Sequence, residues 1–193
     1  MTAVRGADGR RRCPWALSAP EFVAYHDDEW GRPVGDDHAM FERLTLEGFQ
    51  SGLSWLIILR KRPAFRSAFA GFDIERVAAF GPRDVERLLA DAGIVRNRQK
   101  IDATIANARA ALDLPDGLRA HLLAFVPTRA PRAPRALGDV RSTSPESVAM
   151  AKDLRRRGFR FVGPTTAYAL MQATGMVDDH LAGCWRRNAA SSR

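Results

Sequence analysis

Apolar positions along this 193-residue chain recur mainly at helical spacing. Met40, Leu44 and Glu47 share one stripe of a helix that Asp36 or Asp37 can cap and that runs toward Phe49. Asp73 can cap a short helix through Phe80, and Pro82 to Asp91 reads as another, ended by Gly93. Helix formers fill 96–112. Ser144-Pro145 supplies an N-cap followed by proline in the first turn, and that helix stops at Gly158. Pro164 opens a last helix that stops at Gly175. No stretch alternates with period two over a strand's length, so an all-α fold is expected.

The remaining segments read as connections. Residues 1–12 are rich in glycine and arginine and are expected to be a disordered basic tail. Residues 127–142 hold several prolines and arginines and read as an irregular connection, and 186–193 as a disordered tail. One helical domain over 13–185 is therefore expected. Met1 to Arg12 lacks the apolar core of a signal peptide, and the longest apolar run, Leu53 to Leu59, is too short to span a bilayer. A soluble, cytoplasmic, monomeric protein is expected, with no membrane partner.

Composition adds a partner. Hydrophobic residues make up 46%, enough for a sizeable core. The net charge is +8; Lys61, Lys100 and Lys152 are the only lysines, so the other basic residues are all arginine. Basic side chains gathered on one face gain by releasing counterions from phosphates, whereas the same charge spread evenly is only a solvated surface.

Four groups of residues carry candidate chemistry. Cys13, His26, His180 and Cys184 form a two-Cys, two-His set whose C-terminal pair has the spacing of one helical turn. Such a set suits a closed, structural tetrahedral zinc; a Cys13–Cys184 disulfide or two free thiols are the alternatives, and a reducing compartment disfavours the disulfide. Glu47 stands in an apolar segment, where it is either a buried structural acid or a pocket acid, with Gly48 and Gly52 allowing close backbone approach beside it. Trp15, Phe22, Tyr25, Trp30 and Trp55 cluster around these positions, as core packing or as the walls of a pocket for a flat cation. Residues 155–175 read as helix, short hairpin with Gly158 and Gly163, helix. Converging backbone N–H groups there, with Arg155, Arg156, Arg157 and Arg160 nearby, form an anion site of the kind that grips a DNA strand, or else a plain hairpin with a basic face. Asp91 to Ile94 is a weaker candidate of the same kind.

The stretches CPW (13–15), YHDDEWG (25–31), LEGFQSGLSW (46–55), DAGIVRNRQKI (91–101), RGFRFVGPTTAYALMQATG (157–175) and VDDHLAGC (177–184) resemble the bacterial 3-methyladenine DNA glycosylase I family. The resemblance covers roughly residues 13–184 and several motifs in order. It implies a helix-hairpin-helix DNA-repair glycosylase with one structural zinc per chain on Cys13, His26, His180 and Cys184. It implies Glu47 as the base-binding carboxylate, with Trp15, Tyr25 and Trp55 as pocket aromatics and Phe22 where a tyrosine is expected. It implies that Gly52 and Leu53 approach the gap left by the extruded base, and that Gly158, Arg160, Gly163 and Thr165 hold double-stranded DNA carrying the alkylated adenine. Ser51 replaces a usual alanine. Asp178 stands where asparagine is commoner, and is a minor candidate for supporting the reaction, as an aspartate after the hairpin does in other helix-hairpin-helix glycosylases.

The expected reaction is hydrolysis of the N-glycosidic bond of 3-methyladenine after base flipping. A lyase needs a placed amine, and no lysine falls in the proposed pocket, so a monofunctional enzyme is expected. The rivals are a non-catalytic zinc-stabilised DNA-binding module and a glycosylase for other alkylated bases, which Phe22 leaves open.

Overall fold

The computed structural model describes residues 1–187; residues 188–193, and with them most of the expected C-terminal tail, lie outside the described residues. Helices α1 (Pro20–Asp28), α2 (Asp37–Gln50), α3 (Trp55–Ala68), α4 (Ile74–Ala78), α5 (Pro82–Ala90), α6 (Arg98–Leu112), α7 (Gly117–Leu123), α8 (Pro145–Arg156) and α9 (Pro164–Ala173) follow one another. The all-helical expectation holds, and none of these helices is long and apolar enough to cross a membrane.

α2 occupies the centre and packs against α3, α4, α6, α7 and α9. Its apolar residues Phe41, Leu44, Leu46 and Phe49 are buried with Phe65, Phe69 and Phe72 in one continuous core. The ambiguity over its cap resolves cleanly. Asp36 Oδ1 accepts from the Ala39 N–H at 2.7 Å, as an N-cap should. Asp37 instead accepts from the N–H groups of Leu118 and Arg119, at 3.1 and 2.8 Å, and so caps α7 some eighty residues away. Asp73 and Ser144 cap α4 and α8 as expected.

α8 and α9 pack side by side, joined by the hairpin 157–163. At the far end of α9 the chain turns through Gly175 (φ +72), where a Cβ would lie 2.7 Å from the Gly31 carbonyl oxygen. Gly31 in turn donates to the Ala173 carbonyl. This close backbone approach seats the end of α1 on the end of α9.

Residues 1–12 correct the expectation of a disordered tail. Strands β1 (Val4–Arg5) and β2 (Arg11–Arg12) pair antiparallel, with Ala3 and Arg12 buried. The Arg12 guanidinium is bonded to Asp8 within the hairpin and to Asp27 of α1, so charges that read as solvated are internally paired. The segment 127–142 is irregular apart from a 3-10 turn at Leu137–Asp139. It is pinned by Leu137 N–H to the Met1 carbonyl and by Ala182 N–H to the Pro134 carbonyl.

Candidate active site and metal centre

Cys13, His26, His180 and Cys184 meet in one buried cluster whose ligand atoms all lie within 4.8 Å of one another. His26 comes from α1, Cys13 precedes a 3-10 turn at Pro14–Leu17, and the other two follow α9. Cys184 Sγ lies 3.4 Å from His26 Nε2 and 3.6 Å from His180 Nδ1; Cys13 Sγ lies 3.9 Å from His180 Nδ1. Zinc with bonds of about 2.3 Å to sulfur and about 2.0 Å to nitrogen sets S···N edges of about 3.5 Å, so the donor set fits a tetrahedral ion. No disulfide joins Cys13 to Cys184 in the structure. The outer partners also fit: Asp27 Oδ1 bonds His26 Nδ1 at 2.8 Å, leaving Nε2 facing the cluster, and the Leu181 N–H donates to Cys13 Sγ.

Beside this cluster lies a pocket of about 490 Å³. Trp15, on the turn just after Cys13, meets Phe22 edge-on at 5.7 Å, Trp30 at 5.1 Å and Tyr25 at 6.3 Å; Tyr25 meets Trp55 at 5.5 Å. All five aromatics singled out in the sequence line the pocket together, with Glu47 among them. Trp30 also packs against His26 and His180, and Cys13 itself lines the pocket, so the aromatic pocket adjoins the Cys/His cluster.

Glu47 is only 6% exposed and has no hydrogen-bond partner among the described residues. Burial pushes its carboxyl up to about 8, and the Arg43 guanidinium one turn earlier on α2 offsets this only in part. Arg43 is already committed to Glu29 at 2.8 Å, with Arg62 on the same carboxylate. The Tyr25 phenol is pushed up by burial and then by the Glu47 charge. The indole N–H of Trp55, another lining residue, is buried and also lacks an acceptor. An acceptor and a donor, both desolvated and unmatched, are poised for a ligand that carries the complementary groups.

Several lining residues were not singled out in the sequence. Gln50 is on α2 one turn after Glu47 and donates to the Leu53 carbonyl; periodicity alone could have found it. Gln172 and Asp179 also line the pocket, and Asp179 Oδ2 accepts from Tyr168 and Gln172, both at 2.8 Å. Leu137 and Val140 bring the 127–142 segment to the pocket lining. The neighbouring Asp178 lies outside the lining, accepting from the His180 N–H and pairing with Arg187. No lysine lines the pocket among the described residues. Lys100 instead donates to the Phe49 and Ser51 carbonyls at the end of α2, and burial holds its ammonium below the ordinary lysine range.

Gly52 (φ +81) and Leu53 form the loop from α2 to α3, next to the pocket residues Gln50 and Trp55. In the α8–α9 hairpin, Gly158 (φ +91), Arg160 and Thr165 are exposed and Gly163 is half-buried as the N-cap position of α9. Arg156 and Arg157 pair with Asp153, while Arg155 and Arg160 form no side-chain ion pair among the described residues. The weaker candidate turn at 91–94 has its Ala92 and Gly93 carbonyls bonded by Lys61 and serves as a joint between α5 and α6.

The methyladenine glycosylase family model matches residues 15–187. DNA-3-methyladenine glycosylase 1 of Escherichia coli is 44% identical over 178 residues, 90% of this chain and 95% of that protein. DNA-3-methyladenine glycosylase of Haemophilus influenzae is 38% identical over 179 residues, 90% and 96% of the two chains. A crystal structure of 3-methyladenine DNA glycosylase I superposes with TM-score 0.86 at 44% identity, covering 90% of this chain and 98% of that one. A variant of such an enzyme in complex with 3-methyladenine superposes with TM-score 0.85 at 31% identity, covering 90% and 96%.

Proposed function

The chain belongs to the methyladenine glycosylase family, and from that premise we propose how its residues divide the work of a DNA-3-methyladenine glycosylase. The substrate is double-stranded DNA carrying alkylated adenine, with the damaged nucleotide turned out of the stack into the aromatic pocket. Methylation at N3 leaves the adenine cationic. The rings of Trp15, Tyr25 and Trp55 face that cation, and Glu47 accepts its N–H groups. The C1′–N9 bond breaks with its electron pair passing to the base, which leaves uncharged. Water adds to C1′ of the oxocarbenium-like sugar and loses its proton to solvent, leaving an abasic site.

The observation that carries this reading is the Glu47 carboxyl, buried among aromatic rings without a partner. A DNA-binding module has no use for such a group, which is costly to bury. Phe22 supplies an edge to Trp15 but no hydroxyl, so recognition rests more heavily on Glu47 and the ring faces. The absence of a lining lysine agrees with a monofunctional hydrolase. Cys13, His26, His180 and Cys184 hold one structural zinc, with every ligand position filled by protein and none left for a reacting water. Gly158, Arg160, Gly163 and Thr165 hold the phosphate backbone, and Gly52 and Leu53 approach the gap left in the duplex.

Glu47→Gln tests the assignment. It keeps the shape and removes the carboxyl that ionises against the cationic base, so duplex affinity and fold should persist. Base release from methylated DNA and capture of free 3-methyladenine should fall roughly ten- to a hundredfold, the weight of a charge-assisted hydrogen bond. Wild-type cleavage by this variant would remove Glu47 from the site.

A further inference from the structure

The α8–α9 hairpin carries a feature that gripping phosphates by backbone N–H groups does not use. Phe161 has φ +56, in the left-handed region that penalises any residue with a Cβ. Among the described residues only Ala70 and Phe72 share this condition without being glycine. Phe72 is completely buried, so core packing compensates its backbone, and Ala70 lies in the same turn. Phe161 is 42% exposed. Its conformation is therefore held at a place where the ring does not gain full burial in return.

Two contacts hold it there. The Asn107 amide of α6 brackets the preceding residue, accepting from the Arg160 N–H at 2.7 Å and donating to the Arg160 carbonyl at 3.0 Å. On α2, Gly48 presents no side chain; a Cβ there would lie 3.8 Å from the Phe161 carbonyl oxygen and 3.9 Å from its Cβ. The hairpin tip thus rests on the residue immediately after Glu47. An aromatic ring fixed outward, with exposed Arg155 and Arg160 on its own hairpin, has the make-up of surfaces that hold nucleic-acid strands.

We propose that Phe161 is an apolar DNA contact: its ring packs against the sugar and base edge of the strand held by the hairpin, beside the nucleotide that enters the pocket. The inference rests on the reading of 158–165 as the DNA grip. It explains why a strained backbone is kept where glycine would fit without cost, since glycine would remove the ring.

Phe161→Gly separates the two roles, because it deletes the ring while relieving the backbone. Phe161→Asn, a residue that tolerates the left-handed region, guards against a loosened loop. The readouts are affinity for a duplex containing a tetrahydrofuran abasic analogue across a salt series, and capture of free 3-methyladenine by tryptophan fluorescence. Both variants should bind the duplex roughly tenfold more weakly at every salt concentration, with an unchanged salt slope, because an apolar contact releases no counterions. Capture of the free base should match wild type. Wild-type duplex affinity in both variants overturns the inference, as does a loss accompanied by a reduced slope. Arg160→Ala, measured alongside, should lower the slope by about one. If it does while the Phe161 variants bind normally, the inference fails and the grip stands; if neither position matters, the grip reading fails with it.

Discussion

Two carboxylates in this molecule are buried almost equally, Asp27 at 7% and Glu47 at 6%, yet they live in opposite chemical conditions. Asp27 accepts from Arg12 Nε at 2.9 Å and Nη2 at 2.6 Å, from the Trp185 indole at 3.3 Å, and bonds His26 Nδ1 at 2.8 Å. Burial pushes its carboxyl up, but Arg12 and His26 outweigh this and hold it below the usual range. Glu47 has burial and no bond. Burial alone therefore says nothing about role. A buried acid with every lone pair matched is part of the scaffold, here the support of His26 in the Cys/His cluster. A buried acid with none matched is waiting for something that the folded chain does not contain.

The contrast is broken most violently on the scaffold side. Cys184→Ala removes one of the four residues proposed to hold zinc, from a cluster that joins the N-terminal hairpin, α1 and the segment after α9. Structural zinc binding is folding free energy, so stoichiometric zinc should be lost and the melting temperature should fall by well over about 10 °C. Elemental analysis together with a thermal melt checks this. Full retention of zinc and stability would mean that the four residues meet for another reason.

Asp27→Ala should come next. It strips the buried Arg12 guanidinium of its inner partner, leaving only Asp8, which is itself half in water. Breaking a buried pair from one side costs about 3–5 kcal/mol, and the surviving Asp8 contact places this case at the lower end. Denaturant unfolding measures it, and zinc affinity should drop about tenfold or more because His26 loses the group that orients it. Catalysis per folded, zinc-loaded molecule should stay near wild type, the reverse of the pattern expected at Glu47.

How legible this division was in the sequence differs between its two halves. Local signals were readable: Asp36, Asp73 and Ser144 cap the helices they were expected to cap, and the four metal-cluster residues and five aromatics were picked out by residue type. What could not be read depends on distant partners. α7 begins at a glycine behind Asp116, which holds the N-cap position without making the cap bond; the bond comes from Asp37 across the fold, which no local signal displays. α3 escaped because charged residues and Pro63 interrupt its apolar stripe. The N-terminal hairpin is held by Arg12 reaching Asp27, a pairing that composition cannot display. Asp178 draws notice through the family resemblance, whereas the role of Asp179 depends on the turn after α9, which decides which aspartate meets Tyr168 and Gln172. The missing partner of Glu47 could not be read either, because it is a property of everything packed around it.

The gentlest way to sharpen the comparison is to titrate it. Glu47 has a folded-state value of about 8 against an ordinary 4.5, so between these limits the native protein holds a proton that the unfolded chain has released. Stability from this group is complete below about pH 4.5 and drains away as pH rises through about 8. Each unit of difference corresponds to about 1.4 kcal/mol, and relaxation or water entry reduces the total, so a loss on the order of 2–4 kcal/mol is expected. Glutamine has no proton to lose. The stability of Glu47→Gln relative to wild type should therefore rise steadily from pH 5 to pH 8, turning the variant that loses activity into the more stable protein at alkaline pH. Urea midpoints of both proteins across that range measure the difference. The same experiment with saturating 3-methyladenine should flatten it, since a bound base supplies the partner that the chain withholds from Glu47. A pH-independent difference would show that Glu47 is matched in solution after all, and the distinction between the two carboxylates would disappear.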